Sequence, residues 1–310
     1  MAKSRLTTGQ QISSIWQLGG LTWRELAWRV WGGIQQTDII NRAYELAYNF
    51  LLAVFPILLF LLSLFGLFAS ERLGLRMDLF LYLQHALPPD AYKLVASTVT
   101  EITRHESSGK ITFGLLFGLY AASSGTTQLI STLNDTYEVR EARSWIKVHL
   151  ISLGLTVAMS ILIVIALLLV LAGGGVLRMI GHAEQVSSML VLANGVLQWT
   201  LALGFVILAF AMIYYFAPDL KERHWYWITP GSVAGVLLWA LSSAVLRVYL
   251  HFFNSFSKTY GSLGALIILM MWFYLTGLAF LIGGEINSVI EHAAAEHGHP
   301  EAKPVGKKAA

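Results

Sequence analysis

No cysteine occurs anywhere in the 310 residues, and charge is scarce, with Asp, Glu, Lys and Arg making up 13% of the chain. Without cysteine there is no disulfide framework, no thiol nucleophile and no thiolate-bound zinc or iron–sulfur cluster. An ordinary soluble domain carries about 25% charged residues, and here the deficit is concentrated rather than spread. Six stretches contain no Asp, Glu, Lys or Arg at all: 46–70, 111–134, 148–177, 185–218, 224–246 and 259–284. Every one is longer than the ~20 residues a helix needs to cross a ~30 Å hydrocarbon core. A soluble globule is excluded. The net charge of +3 then reads as the Lys and Arg of cytoplasmic loops rather than as a nucleic-acid footprint.

What is present defines an order of elements. Residues 1–20 are polar and are expected to be a flexible N-terminus, with no cleavable signal peptide. Thr22-Trp23-Arg24-Glu25 has the form of a capping box, and Trp23, Leu26, Ala27, Val30, Trp31 and Ile34 follow at the spacing of one helix face. The segment 21–45 is therefore read as an amphipathic helix lying in the membrane interface, where Trp is favoured, the alternative being an amphipathic helix packed on the bundle. A membrane domain over 46–290 holds six spans. Span one is interrupted by Pro56, which removes a helical hydrogen bond, and an extramembrane excursion of short helices over 71–110 precedes span two. Gly114-x-x-x-Gly118 in span two and Gly231-x-x-x-Gly235 after Pro230 in span five are close-packing motifs. A flexible tail occupies 291–310. The fold class is thus an all-α integral membrane protein of six transmembrane helices.

An even number of spans puts both termini on one side. That side carries 13 Lys and Arg against 8 on the other, so the positive-inside rule predicts cytoplasmic termini. Ionisable groups inside the spans would mark a site, and only histidines interrupt the charge-free stretches. His149 and His224 lie at span ends; His297-x-His299 belongs to the tail. Glu285, after Gly283-Gly284, is the nearest to a buried carboxylate. Span two holds the densest polar run, from Ser123 and Ser124 to Gln128. Beyond it, a continued helix over 135–147 would put Asp135, Glu138 and Glu141 on one side and Arg140, Arg143 and Lys147 on the other. The acidic trio could hold a divalent metal, the basic trio lipid phosphates. Alternatively, this is a helix end wedged between the bundle and the headgroups. No nucleotide loop or Ser–His–Asp arrangement is present.

Several landmarks recur together: Ala47-Tyr48 with Phe55-Pro56, Leu133-Asn134 with Tyr137 and Arg143, Ala217-Pro218-Asp219, and Pro230-Gly231. Tyr260-Gly261-Ser262-Leu263-Gly264 and Gly284-Glu285-Ile286-Asn287 complete the set. In these the chain, from about Arg42 to Asn287, resembles the YihY/BrkB family of bacterial inner-membrane proteins, once labelled ribonuclease BN-like. The resemblance implies a six-helix inner-membrane protein and roles in serum resistance or export of envelope lipids.

The expected function is a transporter or flippase-like protein moving an amphipathic, anionic envelope lipid or metabolite, with membrane lipids as partners and no nucleic acid. It is not read as an enzyme, and no cofactor or metal is expected. A membrane-anchored metal-dependent ribonuclease and a structural scaffold are the alternatives. The expected site is one cavity open to the cytoplasm, lined by Ser123, Ser124, Asn134, Tyr137, Arg143, Tyr260, Glu285 and Asn287. Arg143 would clamp the anion, and Glu285 would be its resting partner or a cation ligand. Tyr260 is either an outer gate or a packing turn. Pro56, Gly114, Gly118, Pro230, Gly231, Gly235, Gly261 and Gly264 are expected to be structural.

Overall fold

The computed structural model describes residues 16–68, 81, 108–180, 188–220, 229–252 and 262–296. Those residues are all-helical. Seven α-helices follow a short 3-10 turn at Leu18–Gly20: α1 Trp23–Gln36, α2 Ile39–Phe68, α3 Ser108–Thr136, α4 Trp145–Ile180, α5 Ser188–Phe216, α6 Pro230–Phe252 and α7 Ser262–Glu296. Within α4 to α7, the stretches Trp145–Leu169, Leu192–Phe216, Pro230–Phe252 and Leu266–Ala294 are long and apolar enough to cross a membrane. Charge-free stretches one and two fall on α2 and α3, which have 30 and 29 residues. The excursion over 71–110 lies outside the described residues, apart from Leu81 and the first turn of α3. So do Tyr260 and Gly261.

The chain divides into two compact units. The first comprises Met1–Leu52, Ser124–Ser152 and Phe210–Ala310, the second Ala53–Ser123 and Leu153–Ala209. In the first unit, α1 starts where its capping box requires. Thr22 Oγ1 accepts from the Glu25 backbone N–H at 3.3 Å, and Glu25 accepts in return from the Thr22 N–H at 2.9 Å. One face of α1 packs against the end of α7: Leu26 and Val30 join Leu18, Leu21, Val289, Ile290 and Ala293 in a buried cluster. Trp23, Trp28 and Trp31 stay exposed on the other flank. The expected single apolar face is therefore two surfaces, an aliphatic one docked on protein and an indole one left open. Gly19, at φ +62, allows the approach, since a Cβ there would meet Ile290 O and the Ala294 N–H at 2.5 and 2.9 Å.

The docked surface also takes in Leu18, which is buried, and α7 continues to Glu296, whose carboxylate pairs with Arg29 at 2.8 Å.

Pro230 occupies the first turn of α6, where its missing N–H is no loss, and Thr229 caps the helix by accepting from the Ser232 N–H at 3.1 Å. The Gly231 and Gly235 pair then meets α7. A Cβ on Gly231 would fall on Gly283 O and the Asn287 side chain, and one on Gly235 would lie 2.9 Å from the Tyr214 hydroxyl. Only glycine lets these backbones approach so closely. Gly264 is buried near the start of α7. In the second unit, Pro56 lies inside α2, and a Cβ on Gly118 would rest 3.7 Å from its carbonyl oxygen. Gly114 lies in α3, with its surroundings outside the described residues.

Candidate functional site

Helix α3 ends at Thr136 rather than continuing through the acidic and basic trios. Glu138 adopts φ +52. The Glu138 N–H donates to Asp135 O and the Val139 N–H to Asn134 O at 2.8 Å, the pair of bonds that closes a helix through a left-handed residue. The chain therefore reverses at Glu138, and the two opposed charge faces expected of a continued helix do not form. Asp135 pairs with Arg42, Glu141 with Arg143, and Glu138 turns to a separate cavity. Among the described residues no three His, Asp or Glu side chains are arranged to hold a metal. The geometric basis for a metal-dependent nuclease is withdrawn with that helix.

Asn134, Arg143 and Glu141 come together as a knot that ties the end of α3 to the end of α5. Asn134 Nδ2 donates to Glu141 at 2.8 Å, while its Oδ1 accepts the Asp219 N–H at 2.8 Å. Arg143 grips Glu141 with two bonds, 2.7 and 2.6 Å, and donates to the carbonyls of Phe216 and Ala217 at 3.3 and 2.8 Å. Asp219 stands 3.6 Å away. The guanidinium is 3% exposed. Burial alone would raise the Glu141 carboxyl, but the hydrogen bonds from Arg143 and Asn134 outweigh it and hold the group below its ordinary range.

Tyr137 and Asn287 meet on the other side of the α3 end. A Cβ on Gly284 would lie 3.5 Å from the Tyr137 ring, and Asn287 Oδ1 accepts the Gly231 N–H at 2.9 Å. Burial, then the charge of Glu291, pushes the Tyr137 phenol above its ordinary value, so it stays neutral. The Asn287 side chain works against that shift through its interaction with the phenol.

Glu285 stands apart from both groups, at an open cavity of about 400 Å³. Helix α1 contributes Arg29, Gly32, Gly33 and Gln36 to its wall; α7 contributes Glu285, Ser288, Val289 and His292. Both sets have the i, i+3, i+4, i+7 spacing of one helix face. Thr136, Glu138 and Trp28 complete the lining. Glu285 is 4% exposed, yet its Oε2 has no hydrogen-bond partner. Its Oε1 lies where a Cβ on Gly33 would be, so a side chain at 33 would displace the carboxylate from this position.

The structure thus brings Asn134 together with Arg143, and Tyr137 with Asn287, and among the described residues of the expected set it puts Glu285 alone on the cavity wall. Ser123 is buried and donates to Tyr120 O at 2.7 Å, a bond to its own helix; Ser124 is exposed. Tyr260 lies outside the described residues. Sequence reasoning missed Arg29, Gly32, Gly33, Ser288 and His292. The signal was the Gly32-Gly33 pair inside an otherwise amphipathic helix, which has no local purpose and marks a close approach.

Residues 30–306 match the family described as Virulence factor BrkB. The ribonuclease-like protein YfkH of Bacillus subtilis is 33% identical over 253 residues, 81% of this chain and 89% of that protein. A UPF0761 membrane protein of Tolumonas auensis is 26% identical over 194 residues, 59% of each chain. One from Vibrio cholerae is 33% identical over 82 residues, 26% of this chain and 27% of its own. No solved structure matches.

Proposed function

The chain belongs to the BrkB family of membrane proteins, and from that premise we propose that it moves an amphipathic envelope lipid or metabolite across the bacterial inner membrane. In this reading six helices span the bilayer, both termini are cytoplasmic, and the protein is a carrier rather than an enzyme. The observation that carries it is Glu285. A carboxylate within a membrane-crossing helix is costly unless it has a task, and this one is buried, unpartnered and on the wall of an open cavity. The expectation of an anionic substrate rested on Arg143 as clamp. With that guanidinium occupied by Glu141 and two carbonyls, the anionic preference loses its main support, and the reading narrows to an amphipathic substrate with a polar headgroup.

Proteoliposomes test it directly. Acyl-labelled fluorescent phosphatidylethanolamine or phosphatidylglycerol is placed in both leaflets, and dithionite bleaches the outer one. Vesicles holding the wild-type chain are expected to lose nearly all fluorescence, where protein-free vesicles lose about half. The Glu285→Ala chain should behave like empty vesicles. Wild-type protein that leaves both labelled lipids at the protein-free level sinks lipid translocation and favours a scaffold.

A further inference from the structure

The groove between α1 and α7 is electrically bipolar along its length. At one end Glu285 and Glu138 face it; at the other stand Arg29 and His292. Seven residues separate Glu285 from His292, about 10 Å of helix at 1.5 Å per residue. Between them on α7 lies a neutral hydrogen-bonding group, the Ser288 hydroxyl, and α1 adds the Gln36 amide to the lining. The two ends differ in what they already hold. Arg29 pairs with Glu296, but both side chains are more than 40% exposed, and such a pair is weak and readily exchanged. Glu285 is buried with Oε2 unpartnered, the state in which a carboxylate gains most from an incoming donor.

A bare metal ion is a poor match. Calcium takes six to eight oxygens at about 2.3–2.6 Å, and among the described residues no cluster of three His, Asp or Glu offers such convergence. A cavity of about 400 Å³ is also of the size that holds a small organic group. Close approach is built in, because Gly32 and Gly33 remove side chains from the α1 wall opposite the carboxylate.

We propose that this groove recognises a zwitterionic headgroup, with a protonated amine on Glu285 and a phosphate toward Arg29. The inference rests on the reading of the cavity as the place where a transported headgroup sits, and it names that headgroup's chemistry. The three N–H donors of a primary ammonium suit a lone carboxylate with hydroxyl and amide neighbours. A purely anionic headgroup would face two carboxylates and be repelled.

Native mass spectrometry of the full chain, released from detergent, reads lipid retention without requiring transport. The wild-type protein is expected to retain phosphatidylethanolamine about tenfold better than its N-acetylated form, which keeps the phosphate and loses the ammonium. Glu285→Gln, nearly isosteric, should abolish that preference and raise the retention of phosphatidylglycerol, because one of the two repelling carboxylates is gone. Equal retention of the two ethanolamine lipids by the wild-type protein overturns the proposal, and this comparison needs no variant to fold. Free phosphoethanolamine that displaces the retained lipid assigns the site to the headgroup alone; failure to displace it assigns the site to the intact lipid, and either outcome supports ammonium recognition. Selective retention without dithionite-accessible exchange would end the transport reading and leave the binding site standing. Exchange without selectivity would do the reverse.

Discussion

Arg143 and Glu141 differ sharply in exposure although they share three hydrogen bonds, two from the guanidinium and one from the backbone N–H. The guanidinium is 3% exposed and the carboxylate 30%, so the pair sits at the rim of the packed unit with the arginine inward. A planar fork suits this position, because four of its five N–H donors reach a carboxylate and two carbonyls at once. Since the Glu141 carboxyl is held below its ordinary value in the folded protein, the unfolded chain binds its proton more readily. Folding is therefore favoured by this group above the unfolded carboxylate value of about 4.3, and the advantage is lost as pH falls through the lower folded value. Melting curves of the wild-type and Glu141→Gln chains between pH 3 and pH 7 are expected to differ at neutral pH and converge at the acid end. A constant gap across that range would mean that the carboxylate charge is not what the knot uses. Glu138 offers the contrast at the same scale. It carries a side chain at φ +52, a conformation that costs a non-glycine residue about 1 kcal/mol or more, and its carboxylate borders the cavity.

At the scale of elements, α1 has two surfaces with different partners. Leu26 and Val30, 5% and 8% exposed, pack with Val289 and Ile290, while Trp23 and Trp28 are 75% and 77% exposed. Burial of a leucine side chain is worth about 1.5–3 kcal/mol, and the cavity wall depends on this docking, because α1 supplies Gly33. Leu26→Asp places a charge in that cluster and is expected to release α1 from α7. Hydrogen exchange over 23–36 would then rise by at least tenfold while α6 and the middle of α7 keep their protection. Trp28→Ser, on the indole flank, is expected to leave exchange over 23–36 unchanged. Undiminished protection of α1 in Leu26→Asp would show that something other than the aliphatic face holds it.

At the scale of the whole molecule, the described residues are helical and include four helices long and apolar enough to cross a membrane, whereas the sidedness rests on the proposed six-span topology. The absence of cysteine makes that topology directly testable, since any reactive thiol is one that has been introduced. Ser144→Cys is expected to resist a membrane-impermeant maleimide in intact cells and Ser107→Cys to react with it. The opposite pattern would invert the protein in the membrane and put the α1–α7 groove on the outer side.

The sequence by itself determined the chemistry of the solvent, the helical content and the positions of close packing. These depend on local quantities: the charge-free length of a segment, a cap with its partner three residues on, a glycine pair one turn apart. The capping box at Thr22 and the Gly231 and Gly235 contacts were legible for that reason. Tertiary structure decided which polar residues share a site. The periodicity of 135–147 says where side chains would point if the helix continued, but the closing bonds at Asn134 and Asp135 end it at Thr136. The three carboxylates then part, two to arginines and one to the cavity. Helix α1 likewise has an amphipathic pattern that serves a bilayer or a protein equally well. Only the contact of its Gly33 with Glu285, a residue 252 positions away in the chain, shows that one face was shaped to leave a buried carboxylate room beside a cavity.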